Sequence, residues 1–400
     1  MGSGAVAGKG RFFGRLERAL FVARPNRFTA VCRLGNRAVG AFLPNPGRMR
    51  ELLLPGAVVY LEAAGGPGRR SSWTVAAVER DGRPVVVDTH RANAAARFLI
   101  EQGGVPGLEG ARVLREEVPS GRSRFDFLLA RGRRRVLLEV KSCTLFSRRV
   151  AMFPDAVTAR GRRHVEELAA LASAGLDTAI LFLVQSPHPT WFLPEYHTDP
   201  GFARALLAAR HAVRVLPVAL SWTDDLALAP QARLLDVPWN VVEREGGDRG
   251  CYLAIFRLRR ALRWRAGRAA GAFLPPGFHI YVGSAKRGLA ARLARHAGGT
   301  GRPFWHVDRL RAAAKPRAFL PVRTADDIEC DLASAVRGAA DGEAAGFGCS
   351  DCRCSSHLFF MERDPLESAR FHAVIQQVRM DRPVARLADR RTEAPAERRG

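Results

Sequence analysis

Asp126, Glu139 and Lys141 are residue types that together can hydrolyse a phosphodiester. They stand in Ser123-Arg-Phe-Asp-Phe-Leu-Leu-Ala130 and Val136-Leu-Leu-Glu-Val-Lys-Ser142. Both segments are rich in apolar and aromatic residues and read as short strands. Arg131-Gly-Arg-Arg134 between them reads as a polar connection. A hairpin of this kind brings Asp126 beside Glu139, and the two-residue spacing puts Glu139 and Lys141 on one face of a strand. Two carboxylates and an ammonium then meet at the end of a sheet. Carboxylate oxygens are suited to Mg²⁺ or Mn²⁺. Such an ion activates water and neutralises charge on the phosphate. A lysine can position that water or stabilise the pentavalent state. The pattern is short, and an amphipathic strand carrying a solvated ion pair satisfies it as well.

Only four of the 63 basic residues are lysine (Lys9, Lys141, Lys286 and Lys315); the rest are arginine. A lysine kept where arginine is the default suggests a task for a compact point charge of adjustable pKa. The net charge is +24 over 400 residues and the pI about 11.2. Charge of that size on a folded chain favours a polyanionic partner, DNA or RNA. A GC-rich genome accounts for arginine over lysine but less well for 63 basic against 39 acidic residues. Seven cysteines in this length make no disulfide framework, and the number is odd. The N-terminus lacks the apolar core of a signal peptide. The longest apolar stretch, 178–184, is too short to span a bilayer. A soluble, cytoplasmic protein is expected.

The elements that must position these residues imply several domains. Residues 12–88 read as an all-β, OB-like barrel that binds nucleic acid. It has five short strands at 28–34, 38–43, 58–62, 72–79 and 84–87, broken by Gly, Pro and Asn. A turn and short helix at 44–56 interrupt it, with Arg48 and Arg50 available to phosphates or simply solvated. Residues 89–222 read as α/β: helices at 93–102, 160–174 and 202–211, the two strands above, and further strands at 179–184 and 213–220. Residues 223–248 read as a linker, 249–362 as a second α/β unit, and 363–400 as a tail, partly disordered.

Three segments resemble the sugar fermentation stimulation protein A family: Pro44-Asn-Pro-Gly-Arg-Met-Arg-Glu-Leu-Leu53, Ser123-Arg-Phe-Asp-Phe-Leu-Leu129 and Leu138-Glu-Val-Lys-Ser142. Phe153-Pro-Asp-Ala-Val-Thr-Ala-Arg-Gly-Arg-Arg-His164 strengthens the match, which covers roughly 12–222. The resemblance implies an OB-type domain joined to a PD-(D/E)XK nuclease-like domain, DNA binding, and nuclease activity on DNA or RNA. It places Asp126 and Glu139 as metal ligands with Lys141 as their catalytic partner. Glu117 (or Glu116) is a candidate further ligand. Asp155, Arg160 and His164 match the family's motif and are candidates for the substrate side, as is Arg124; His164 fits a packed histidine equally well.

Residues 249–361 are similar to a GIY-YIG nuclease domain. The resemblance rests on Gly250-Cys-Tyr252, Tyr281-Val-Gly283, the helix Gly288-Leu-Ala-Ala-Arg-Leu-Ala-Arg-His296, Trp305-His-Val-Asp308, the helix from Asp327, and Ser350-Asp-Cys-Arg-Cys-Ser-Ser-His-Leu358. It implies catalytic roles for Tyr252, Tyr281, Arg292 and Glu329. Glu329 would hold a metal, Arg292 would stabilise phosphate charge, and Tyr252 would assist water activation through a labile proton. His306 is a candidate nucleic-acid contact. The chain departs from the pattern at Cys251, which replaces an Ile. It departs again at Ser284, where several active members carry Lys, and in an arginine-rich insertion between the triplets. Binding without cleavage is therefore the alternative for this domain. Cys349, Cys352, Cys354 and His357 have ligand types for Zn²⁺. Cys-x-Cys is tight for one tetrahedral centre, and a thiol cluster without zinc is the preferred expectation.

Together these readings describe a divalent-metal-dependent nuclease on DNA or RNA with a second GIY-YIG-like module. The alternative is a non-catalytic DNA-binding regulator of sugar-utilisation genes. Carboxylates aimed at a phosphate would repel it unless a cation lies between, which argues for hydrolysis.

Overall fold

A computed structural model describes residues 10–64, 71–264, 272–298, 310–311, 313–385 and 387. They form two compact units. The first runs from the N-terminus to Glu195 and includes Asp199–Trp239; the second comprises Tyr196–Thr198 and everything from Asn240.

The first unit opens with β1 (Leu16–Asn26), β2 (Thr29–Leu34), β3 (Arg37–Phe42), β4 (Val58–Ala63), β5 (Trp73–Arg80) and β6 (Arg83–Val86). Their order is β3-β2-β1-β4-β5-β6, and parallel pairing of β3 with β5 closes the first five into an OB-like barrel. Period-two alternation drives the closure: Ala30 and Cys32 point inward on β2 while Arg33 points out. Asp81-Gly82, both at positive φ, makes the tight turn between β5 and β6. The sheet has six strands where five were expected, and the unforeseen one is β1. Long, charged β1 lacks the compact apolar run that marks the others. The expected helix within 44–56 is absent, and that segment is a series of turns.

The α/β domain follows with α1 (Ala92–Glu101), β7 (Arg112–Ser120), β8 (Ser123–Arg131) and β9 (Arg134–Cys143). After these come short strands β10 (Leu145–Phe146) and β11 (Val150–Phe153), then α2 (Ala159–Ser173), β12 (Asp177–Val184), β13 (Trp191–Pro194), α3 (Pro200–Ala209), β14 (Arg214–Ala219) and β15 (Arg233–Leu234). The main sheet has the order β15-β14-β12-β9-β8-β7. Strands β9, β12 and β14 are parallel, whereas β7 and β8 are antiparallel additions. Helices cover both faces, so β12 is buried at nearly every position. Thr158 and Asp199 cap α2 and α3 through the amides of Gly161 (3.0 Å) and Phe202 (3.0 Å), and Asp199 also accepts from the Thr158 amide (2.8 Å).

The second unit has α4 (Trp239–Glu245) at its boundary. It continues with β16 (Gly250–Leu258), β17 (Leu262–Trp264), β18 (Ala272–Leu274), β19 (Gly277–Ala285), α5 (Leu289–Gly298), β20 (Lys315–Arg323), α6 (Glu329–Ala339), β21 (Gly342–Glu343), β22 (Leu358–Met361) and α7 (Ala369–Gln376). The five-stranded sheet is β20-β16-β19-β22-β21, antiparallel throughout. Ile328, Leu332 and Val336 pack against Phe371 and Val374 on one face, and Tyr252, Phe256 and Leu289 lie on the other.

Two expectations require correction. Residues 223–248 are not a free linker: Leu226, Leu228 and Leu235 are buried, β15 joins the main sheet, and α4 buries Val241 and Val242. Nor does folded structure stop at 362. Helix α7 and the π turn Gln377–Asp381 bury Phe371, Val378 and Met380 under a charge-rich exterior that hid their spacing. No described helix is long and apolar enough to cross a membrane.

Candidate active site

Strands β8 and β9 continue to Arg131 and Arg134 and turn through Gly132, at φ 59°. Their ladder ends at Phe127↔Leu138, and the next position sets Asp126 beside Glu139. There the Asp126 side chain takes over from the backbone: Oδ2 accepts from the Val140 amide (2.7 Å) and Oδ1 from Asn93 Nδ2 (2.8 Å). Glu139 Oε1 accepts from Lys141 Nζ and from His164 Nδ1 (2.6 Å). Arg160 Nε reaches His164 Nε2 at 3.3 Å. These bonds assign His164 the tautomer with its proton on Nδ1.

One atom in this network has no partner. Glu139 Oε2 is buried and accepts no hydrogen bond. Burial and the Glu139 charge raise the Asp126 carboxyl to about 6. Burial opposes the Glu139 charge too, but His164 and Lys141 outweigh it and hold that carboxyl below its usual value. The arrangement is thus a charged glutamate with a vacant oxygen beside an aspartate reluctant to ionise. A hard divalent cation satisfies the vacant oxygen and relieves the repulsion, so the donor set fits such an ion. The residues open onto a cavity of about 610 Å³, also bordered by Arg27, His90 and Arg160.

Several sequence candidates lie elsewhere. Glu117 falls across from Asp126, in register between the pairs Glu116↔Phe127 and Val118↔Phe125; the one shift in this ladder lies between Val113 and Arg115. The Glu117 backbone is left-handed (φ 50°), and its exposed carboxylate pairs with Arg124 at 3.5 Å. Glu116 pairs with Arg97 at 2.5 Å. Neither borders the cavity. His164 is 1% exposed and supports Glu139 from behind, so it is no nucleic-acid contact. Arg48 is exposed and Arg50 half-buried, and neither borders the cavity. The 44–50 segment is instead clamped from inside by Arg24, which donates to the carbonyls of Asn45, Gly47 and Arg48 (2.7–3.0 Å). Asp155 also holds it, through the Met49 amide. Burial raises Asp155, which borders the carboxylate cavity, to about 6 and its neighbour Glu51 to about 8.

Sequence reasoning missed an aromatic surface on the barrel. Phe28 and Phe42 are 47% and 37% exposed with rings stacked at 6.4 Å, and His90 lies 6.0 Å from Phe42. They border a hollow of about 840 Å³, and His90 borders both it and the carboxylate cavity.

In the second unit the Tyr252 hydroxyl is 3.1 Å from His296 Nε2, and the Tyr252 and Tyr281 rings are 6.1 Å apart. Gly283 makes that approach possible: a Cβ there would sit 2.6 Å from the Tyr252 hydroxyl and 2.9 Å from the Tyr281 ring. Arg292 Nη1 donates to the Ser284 carbonyl (2.7 Å). Ser284 Oγ donates to Glu329 Oε2, and His357 Nδ1 lies 3.3 Å from Glu329 Oε1. Burial opposes the Glu329 charge, but His357 and Ser284 prevail and keep its carboxyl below the usual value. Burial, with Tyr281 beside it, pushes the Tyr252 pKa upward, against the labile proton expected of it. His306 and the whole of Trp305–Asp308 lie outside the described residues.

The cysteine cluster differs from the expected one. Cys330, Cys352, Cys354 and His357 have their ligand atoms within 4.8 Å of one another. Cys349 is not among them, and its Sγ lies 3.8 Å from the Ser355 carbonyl oxygen.

Comparison with known proteins gives three family matches. "SfsA N-terminal OB domain" matches 22–87, "Sugar fermentation stimulation protein RE domain" matches 90–225, and "Domain of unknown function DUF123" matches 251–380. The sugar fermentation stimulation protein homolog of Methanothermobacter thermautotrophicus is 41% identical over 225 residues, which are 56% of this chain and 93% of that protein. The homolog of Moorella thermoacetica is 40% identical over 199 residues, 49% of this chain and 86% of that protein. The solved structure of Pyrococcus furiosus SfsA in complex with Ca²⁺ superposes with a TM-score of 0.53 at 29% identity, covering 57% of this chain and 98% of that one.

Proposed function

We propose, for a chain that belongs to the sugar fermentation stimulation protein family, a divalent-metal-dependent nuclease centred on Asp126, Glu139 and Lys141. The observation that carries this reading is the buried, unpartnered Oε2 of Glu139 beside an Asp126 whose carboxyl is raised to about 6. Two carboxylates so close in a buried setting repel each other unless one keeps a proton or a cation lies between them, and a cation leaves both charged. The Pyrococcus furiosus relative was solved with Ca²⁺, a cation of the same hard class.

Asp126 and Glu139 would hold the ion, Mg²⁺ or Mn²⁺. When bound, it lowers the pKa of water and neutralises charge on the phosphate. The chain's own residues do the positioning. Asn93 and the Val140 amide fix the Asp126 carboxylate. His164 holds Glu139 Oε1, and Oε2 is left without a protein partner. Lys141 shares that Oε1 and lies at the cavity, where its remaining protons can meet a non-bridging phosphate oxygen as charge accumulates. Phe28, Phe42 and His90 offer faces on which unpaired bases stack, and His90 continues that surface to the carboxylates. This favours a substrate with single-stranded character. The +24 charge supplies affinity for the backbone.

The experiment is cleavage of labelled single- and double-stranded DNA and RNA by the full chain, with Mg²⁺ or Mn²⁺, beside Asp126→Ala. Metal-dependent cutting of a single strand that Asp126→Ala loses while still binding supports the proposal. Salt-dependent DNA binding without cutting under any metal favours the regulator instead. Phe28→Ala and Phe42→Ala should each weaken single-strand binding by about 1–3 kcal/mol and leave duplex binding nearly unchanged.

A further inference from the structure

We infer that the 251–380 unit carries a structural zinc site made by Cys330, Cys352, Cys354 and His357. Its ligands come from two parts of the chain. Cys330 is the second residue of α6, and the other three lie in the bend-rich loop between β21 and β22. The objection that Cys-x-Cys is tight for one centre loses its force once Cys330 supplies the remote corner.

The geometry is close to what zinc needs. All four ligand atoms fall within 4.8 Å of one another. A tetrahedral centre with Zn–S of about 2.3 Å and Zn–N of about 2.0 Å sets its ligands ~3.5–3.8 Å apart. Cys352 Sγ and His357 Nε2 are already 3.5 Å apart. His357 points Nε2 at the sulfurs and Nδ1 at Glu329 Oε1. A histidine whose second nitrogen meets a carboxylate is the usual support of a metal-ligating imidazole. Three thiolates and one imidazole, with no oxygen ligand, select zinc over Mg²⁺, Ca²⁺ or Mn²⁺. Four protein ligands leave no open position, so the role is structural.

The loop has reason to need such a tie. Between Ala344 and His357 it contains bends and turns, two glycines at positive φ (Gly346 and Gly348), and few backbone bonds. Zinc would fasten it to α6 and fix His357, and through His357 the carboxylate of Glu329. The site lies wholly within this unit and is separate in chemistry from Asp126 and Glu139.

The test uses the full chain purified without chelator, with zinc measured by elemental mass spectrometry. Wild type and Asp126→Ala should each hold about one zinc per chain. Cys349→Ser should keep it and Cys330→Ser should lose it. Should Cys330→Ser fail to fold, Co²⁺ exchange into wild type and Cys349→Ser decides. Both should show thiolate-to-cobalt charge transfer and tetrahedral d–d bands, and zinc should shield three thiols from a thiol reagent. A wild type with neither zinc nor a tetrahedral cobalt spectrum overturns the inference. So does zinc lost from Cys349→Ser but kept in Cys330→Ser, or an intact mass showing Cys330 in a disulfide.

Discussion

The two units each gather acidic and basic side chains at the end of a sheet, yet they treat the carboxylate differently. In the first unit Glu139 keeps one buried oxygen without a partner, and its neighbour Asp126 is held near 6 by burial and by that charge. In the second, both oxygens of Glu329 have protein partners, Ser284 and His357, and the carboxyl is held low. The Tyr252 phenol beside it keeps its proton. A carboxylate already satisfied by protein donors has little electrostatic need of a cation, whereas an unsatisfied pair has a strong one. The contrast is the reason for centring the proposed hydrolysis on Asp126 and Glu139 rather than on Glu329.

The sharpest way to break this contrast is to remove one carboxylate from each side. Asp126→Ala should lower cleavage on the order of 10³-fold or more, as expected when several kcal/mol of charge stabilisation disappear. Glu329→Ala should change it by no more than a few-fold. The reverse ranking in single-turnover cleavage would transfer the chemistry to the second unit. A smaller effect probes the support behind Glu139. His164→Ala should weaken metal affinity by about 10–100-fold, with activity restored at high Mn²⁺; a loss that metal cannot restore would give His164 another role.

The smallest effects are thermodynamic. A carboxyl raised to about 6 in the folded chain binds its proton more tightly than in the unfolded chain. Its contribution to stability is therefore present at low pH and is lost as pH rises from about 4 to 6. Asp126→Asn removes that loss, so the metal-free variant should melt a few degrees higher than wild type at pH 7, with the gap closing below pH 4. In wild type, metal affinity should rise with pH through about 6, and more metal should move that limb to lower pH. A variant less stable than wild type at pH 7, measured by calorimetry in chelator, would mean that Asp126 is not electrostatically strained.

Much of this was legible in the chain because it is local. Strand alternation and a short turn are enough to place Asp126, Glu139 and Lys141 together, and β12 announces itself as a continuous apolar run. Strand β7, with Arg-Glu-Glu at its centre, escaped because an exposed edge strand needs no apolar pattern. Strand β20 begins Lys-Pro-Arg and was missed for the same reason, although its later residues are buried against β16.

The cysteines show the limit most clearly. Proximity in sequence suggested Cys349, but Cys330 on α6, 19 residues before it, is the one that reaches the cluster. Asn93 and His164 likewise come from α1 and α2 to hold carboxylates on β8 and β9. The sequence alone determined which residue types were available, the charge that calls for a polyanion, and the local contacts of those strands and turns whose apolar pattern is clear, because these obey short-range periodicity. Only the tertiary structure decided which donors each carboxylate meets, which oxygen stays unpaired and which cysteine completes the four, because these depend on how distant elements pack, and packing is fixed by the whole core rather than by neighbours in the chain.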